Sequence, residues 1–217
     1  MITEAVYLHY LNALLDGNKR ECTQIVADLV DQDVSIKEIY LQLFQRSMYR
    51  VGQLWENQKC SISNEHIATK ITEALVEYVG AQYSNCKCCG KTVLITCIDK
   101  EFHELGARMV AGYFEAHGWN VLFVGSNIPQ DEIMGLIREK KPDVIGISNN
   151  FYVNVLRLLK LVKEIKDEFA NQEIIVGGQA LADGRADELL NFKNVKYICS
   201  LDSLEEYISA FNKKETT

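Results

Sequence analysis

The chain has 217 residues, 47% of them apolar and 24% charged, an ordinary globular composition with room for one or two domains. A formal net charge of −7 argues against non-specific DNA or RNA binding. The acidic, amphipathic start does not resemble a signal peptide, and no apolar run is long enough to span a bilayer. Seven cysteines, an odd number, read as cytoplasmic thiols and not as a disulfide framework.

Residues 1–84 read as a helical domain. Val6, Tyr10, Ala13 and Leu14 make one apolar stripe that Asp16-Gly17-Asn18 ends. A second helix runs from Lys19 to about Val30, with Cys22, Ile25, Val26 and Leu29 inward. Ser35 followed by Glu38 has the spacing of a capping box, and its helix carries Ile39, Leu43 and Met48 toward Val51 and Trp55. After the break at Lys59-Cys60-Ser61, Ser63 caps a fourth helix through Ile67, Ile71, Leu75, Val76 and Val79. Four amphipathic helices joined by short breaks suggest a small bundle.

The polar, cysteine-rich stretch Ser84 to Gly90 then separates this half from residues 91–217. Beyond it strand and helix alternate. The strands are Thr92–Cys97, Asn120–Val124, Val144–Ser148, Glu173–Val176 and Val195–Ile198. Helices fall at 105–117, 130–140, 153–169, 183–190 and 203–211. The expected fold is therefore all-α followed by α/β, the second part a mostly parallel, Rossmann-like sheet of five strands in the flavodoxin-like class.

His103 lies on the loop or first turn after the first strand, between Glu101 and Glu104. In an open α/β sheet that rim binds ligands, and an imidazole there can ligate a metal or move a proton. It reads equally well as a surface histidine. Ser126-Asn127-Ile128-Pro129, Ser148-Asn149-Asn150 and Gly177-Gly178-Gln179-Ala180 follow the next three strands. Each alone is turn chemistry; the four together suggest a binding site, with Gly177 and Gly178 letting backbone approach a ligand. The first strand–helix junction has no dinucleotide fingerprint and no P-loop. In the helical half, Trp55, Glu65 and His66 flank a helix break. Trp55 is either a core aromatic or a lid over a flat ligand. Cys86, Cys88 and Cys89 lack the usual spacing of a structural zinc site, which leaves a metal or a redox-responsive linker as alternatives.

Glu101-x-His103-x-x-Gly106, then Ser148, then Gly177-Gly178, resembles the cobalamin-binding fold. That family's first motif is usually Asp-x-His-x-x-Gly. The resemblance implies His103 as the lower cobalt ligand in a base-off, histidine-on mode. It implies that Ser148, Gly177 and Gly178 line the channel of the displaced nucleotide tail, and it adds Glu101, Gly106 and Ser126 to the cofactor-binding set. The helical half resembles the family's four-helix cap. Trp55, Glu65-His66 and Thr69 look most like the cap of light-sensing cobalamin regulators, where the tryptophan covers an adenosyl group and the glutamate contacts it. His66 then becomes an upper cobalt ligand. Three features depart from that pattern. No DNA-binding domain precedes the cap in this sequence. Glu101 replaces the aspartate. Asn149-Asn150-Phe151-Tyr152 is bulky beside a tail channel, as a heme, bilin or truncated corrinoid would prefer.

The expectation from this likeness is a cobalamin-binding sensor or photoreceptor, adenosylcobalamin favoured over methylcobalamin. It would be cytoplasmic and homo-oligomeric, without direct nucleic-acid or membrane binding, its output read by a regulatory partner. The alternatives are the corrinoid carrier of a methyltransferase system, working with a methyltransferase partner, and an interaction module that lost its ligand.

Overall fold

A computed structural model describes residues 1–84, 88–182 and 184–213, and the chain divides into two units, Met1–Asn85 and Cys86–Thr217. In the first unit, helices begin where short polar side chains accept from backbone N–H groups that the first turn leaves unpaired. Thr3 caps α1 (Glu4–Leu15), Asn18 caps α2 (Lys19–Asp31) and Ser35 caps α3 (Ile36–Glu38). From α3 the chain runs on through a π-helical stretch, Ile39–Gln45, into α4 (Arg46–Glu56). Ser61, not Ser63, caps α5 (Ile62–Tyr83), because Ser61 is the residue with extended backbone and its hydroxyl accepts from Asn64 N at 3.1 Å. The Ser35–Glu38 box closes on one side only. Ser35 Oγ accepts from Glu38 N, whereas the Glu38 carboxylate accepts from Ile2 N.

Tyr10, Leu14, Cys22, Val26, Leu43, Phe44, Val51, Leu75 and Val79 form the core of this unit. Val6 and Met48 are half-buried and Ile67 is exposed, so three expected core positions lie at its margin. Tyr10 and Phe44 stack tilted at 6.0 Å, and Tyr40 donates to Val76 O.

The second unit is built on β1 (Thr92–Cys97), followed by α6 (Leu105–Ala116), β2 (Asn120–Gly125), α7 (Gln130–Lys140) and β3 (Val144–Ser148). A 3-10 turn, Tyr152–Asn154, leads into α8 (Val155–Glu168). Then come β4 (Glu173–Gly177), α9 (Asp187–Leu190), β5 (Val195–Tyr197) and α10 (Leu201–Lys213). All four strand pairings are parallel, in the order β2-β1-β3-β4-β5. This is the flavodoxin-like order, in which successive connections leave β1 and β3 in opposite directions and open a crevice between their following loops. Leu94, Ile145, Ile147, Ile174 and Val176 join Ile133, Ile137, Leu158 and Val162 in one apolar cluster, while α6 packs over β1 and β2.

Among the described residues no helix is long and apolar enough to cross a membrane.

Candidate functional site

The crevice between the β1 and β3 loops holds His103, and the loop that carries it is held by asparagines from its neighbours. Lys100 takes a left-handed conformation, φ 64°, which a non-glycine residue adopts only where its surroundings hold it there. Here Lys100 N donates to Asn127 Oδ1 at 3.2 Å, and Lys100 O accepts from Asn154 Nδ2 at 3.2 Å. Asn127 N also donates to Glu101 O. Asn150 Nδ2 donates to His103 O at 3.0 Å, and Asn150 Oδ1 accepts from Gln179 N. The loops after β2 and β3 thus hold Lys100, Glu101 and His103 directly, and the loop after β4 braces Asn150.

Glu101 is the centre of this arrangement. Its side chain is fully buried, yet both oxygens are satisfied. Oε1 accepts from His103 N at 3.0 Å and lies 3.0 Å from His103 Nδ1. Oε2 accepts from Asn150 N at 2.8 Å and Phe151 N at 3.0 Å. Burial by itself raises this carboxyl. The donors, led by the His103 ring and backbone and followed by Asn150 and Phe151, outweigh it and hold Glu101 below its ordinary range. The extra methylene relative to aspartate therefore still lets the carboxylate meet the histidine, while its second oxygen ties down the β3 loop. A carboxylate facing Nδ1 selects the imidazole tautomer whose lone pair is on Nε2, the form that ligates a metal. The His103 side chain is 61% exposed, and its ring meets that of Phe151 in a T-shaped contact with centroids 4.6 Å apart. Glu104, the other expected flank, turns away toward Gly125 and Arg108.

Cys97 sits beneath this loop, its Sγ 3.8 Å from His103 O. Burial, with the charges of Glu101 and Glu104 added, pushes its thiol up to about 12.

Ser148 ends β3 half-buried, paired in register with Cys97 on one side and Gly177 on the other. Ser126 is half-buried in the bend after β2. Gly106 is exposed in the first turn of α6, and a Cβ built there meets nothing within 4 Å. The glycine pair has an internal reason to be glycine. Gly178 has φ +108°, and a Cβ on it would lie 2.2 Å from Asn149 O; one on Gly177 would lie 3.3 Å from Ile198 O. Their missing side chains make room for neighbouring backbone. Asn149, expected as bulk, is fully buried, and Phe151 and Tyr152 are exposed.

In the helical unit Trp55 is 48% exposed near the end of α4, so it is not a core aromatic. Glu65, in the first turn of α5, accepts from Thr69 Oγ1 at 2.9 Å and contacts Nδ1 of His66, itself 70% exposed. Of the cysteine trio, Cys86 lies outside the described residues, and Cys88 and Cys89 are exposed thiols. Among the described residues no three His, Cys, Asp or Glu side chains are grouped to hold a metal ion. A single imidazole on a rim suits a metal that brings its own equatorial ligands, as a macrocycle does.

The sequence placed Asn127, Asn150 and Phe151 on strand-end loops but did not show that they, with Asn154, hold the histidine loop. Their partners are distant in sequence, and only the run of asparagines on strand-end loops hinted at them.

A parallel sheet with a carboxylate-oriented histidine at its switch point defines a cofactor-binding α/β domain. Residues 91–195 match the family model described as B12 binding domain, and residues 8–79 match a second model of the same description. These matches support a cobalamin-binding domain in this chain. A corrinoid protein of Desulfitobacterium hafniense is 22% identical over 82% of this chain and 85% of its own length. The monomethylamine corrinoid protein of Methanosarcina barkeri has the same fold, with a TM-score of 0.80 at 12% identity over 96% of this chain and all of that one. The methanol:cobalamin methyltransferase complex of M. barkeri aligns with a TM-score of 0.50 at 14% identity, over 96% of this chain and 81% of that one. These likenesses overturn the expected kinship with light-sensing regulators, because the proteins that match are corrinoid proteins and a methyltransferase complex. The sensor and photoreceptor reading is withdrawn with it. The helical resemblance behind it rested on Trp55, Glu65 and His66, and none of these is locked into a site of its own unit.

Proposed function

We propose that the chain is a corrinoid carrier of a methyltransferase system, holding cobalamin through His103 and presenting it to a methyltransferase partner. The observation that carries this reading is the buried Glu101 carboxylate, which holds His103 with Nδ1 inward and leaves the lone pair of the ring on Nε2. When bound, cobalamin supplies a cobalt centre that accepts and donates a methyl group. The chain's own contribution is a fixed imidazole whose basicity Glu101 raises, on a loop strapped by Asn127, Asn150 and Asn154. Ser148, Gly177 and Gly178 stand at the neighbouring strand ends, where the resemblance puts the nucleotide tail, and Ser126 and Gly106 border the same rim. The carrier reading favours the methylated cofactor over the adenosylated one. The names of the relatives support it.

The test is the absorption spectrum of the protein reconstituted with methylcobalamin. The wild type should show a histidine-on spectrum, and His103→Ala should shift it to one without a protein imidazole while the fold stays intact, since the ring is mostly exposed. Identical spectra and affinities for the two proteins would overturn the assignment.

A further inference from the structure

Asn149 is fully buried, and neither its Oδ1 nor its Nδ2 has a hydrogen-bond partner. Both groups of a buried amide are seldom left unpaired in a native protein, and each costs about 1–3 kcal/mol when they are. The residue cannot easily turn away to find water. Asn149 N donates to Gly177 O at 2.9 Å, Asn149 O accepts from Ala180 N at 3.3 Å, and the Gly178 backbone presses against it. The chain thus fixes a donor and an acceptor together on the residue after Ser148, beyond the point where β3 and β4 end paired as Ser148 with Gly177.

We infer that the Asn149 amide reads the base on the cofactor's tail, selecting a corrinoid whose lower base is an aminopurine. The inference rests on the corrinoid reading above. An amide pairs in two-point fashion with an amino group beside a ring nitrogen, as asparagine does with adenine. A dimethylbenzimidazole base has no such edge, so it leaves part of the amide unpaired, and a buried polar group without its partner discriminates strongly. The neighbouring residues do not compete for that role. Asn150 spends its amide on His103 O and Gln179 N, and Asn154 spends its own on Lys100 O and Arg157.

The experiment measures the affinity of the full chain for three corrinoids: one with an adenine tail, one with a dimethylbenzimidazole tail and one with no tail. Asn149→Leu, an apolar near-isostere, is measured beside the wild type. The expected result is a preference of about tenfold or more for the adenine tail, lost in Asn149→Leu, whose folding stability equals or exceeds that of the wild type. Equal affinity of the wild type for both tails, or a preference that survives Asn149→Leu, overturns the inference and leaves the carrier reading standing. Binding of the tail-less corrinoid as tightly as the others overturns it too. Failure of all three to bind removes the corrinoid reading and the inference with it.

Discussion

The two units offer the same kinds of side chain and treat them in opposite ways. In the helical unit a glutamate and a histidine, Glu65 and His66, sit near the start of α5, the histidine 70% exposed and the pair linked to little else than Thr69. In the α/β unit Glu101 and His103 make a similar pair, but the carboxylate is fully buried and takes two further backbone N–H groups from the β3 loop. A helix satisfies its own backbone and leaves its surface side chains to solvent. The strand-end loops cannot satisfy theirs, so they must recruit side chains, and those side chains become fixed in place. Preorganisation here follows from the backbone's needs and not from residue type.

The strongest way to break that comparison is Glu101→Ala, which strands three buried or half-buried N–H groups and should cost the α/β unit about 4 kcal/mol. Each unit holds one of the two tryptophans, Trp55 and Trp119, so denaturant unfolding followed through single-tryptophan variants reads them separately. The Trp119 transition should move and the Trp55 transition should stay. An equal shift in both would mean that the pair does not act locally. Glu101→Gln sharpens the point through pH. Because the folded carboxyl is held below its ordinary 4.5, its stabilisation is present above that value and fades as pH falls through the lower folded value. The advantage of the wild type over Glu101→Gln should therefore be full at neutral pH and shrink below about pH 4.5.

Next in size, Gly178→Ala should cost about 3 kcal/mol, from a left-handed φ and a Cβ placed against Asn149 O. A cost near zero, again by denaturant unfolding, would mean the β4 loop is not held as described. The smallest effect is kinetic. Cys22 and Cys97 lie buried in different units, with thiols pushed up to about 11 and about 12 by burial first of all. Both should resist alkylation while the exposed Cys88, Cys89 and Cys199 react. In rising denaturant Cys22 should be labelled first, because the smaller unit buries less surface. Labelling of Cys97 first would reverse the ranking.

Much of the fold is legible in the chain because buried parallel strands read as short apolar runs between polar breaks. Thr92–Cys97 and Val144–Ser148 were bounded to the residue for that reason. Boundaries failed where local chemistry was degenerate. Ser61 and Ser63 both precede the same apolar pattern, and only backbone conformation chooses between them. The expected helix at 153–169 starts at Val155 because Tyr152–Asn154 tightens into a 3-10 turn. The expected helix at 183–190 narrows to Asp187–Leu190. For the site, His103 stands out as an imidazole where related folds place glycine. The roles of Asn150 and Asn154 were invisible, since their acceptors lie 47 and 54 residues away. The light-sensing likeness failed for a different reason: a tryptophan followed by a Glu-His pair is too short a pattern to fix the kind of cap.

The π-helical stretch Ile39–Gln45 carries a consequence for how this chain tolerates length change. A π-turn is an α-turn with one residue inserted, the surplus absorbed as a local widening so that faces beyond it keep their azimuth. Deleting one residue there would let the helix relax to ordinary α geometry with Val51 still inward and Trp55 still outward. The same deletion within Arg46–Glu56 would rotate everything after it by about 100°. The segment is thus a slack register, the place in the helical unit where the loss of one residue is most cheaply accommodated.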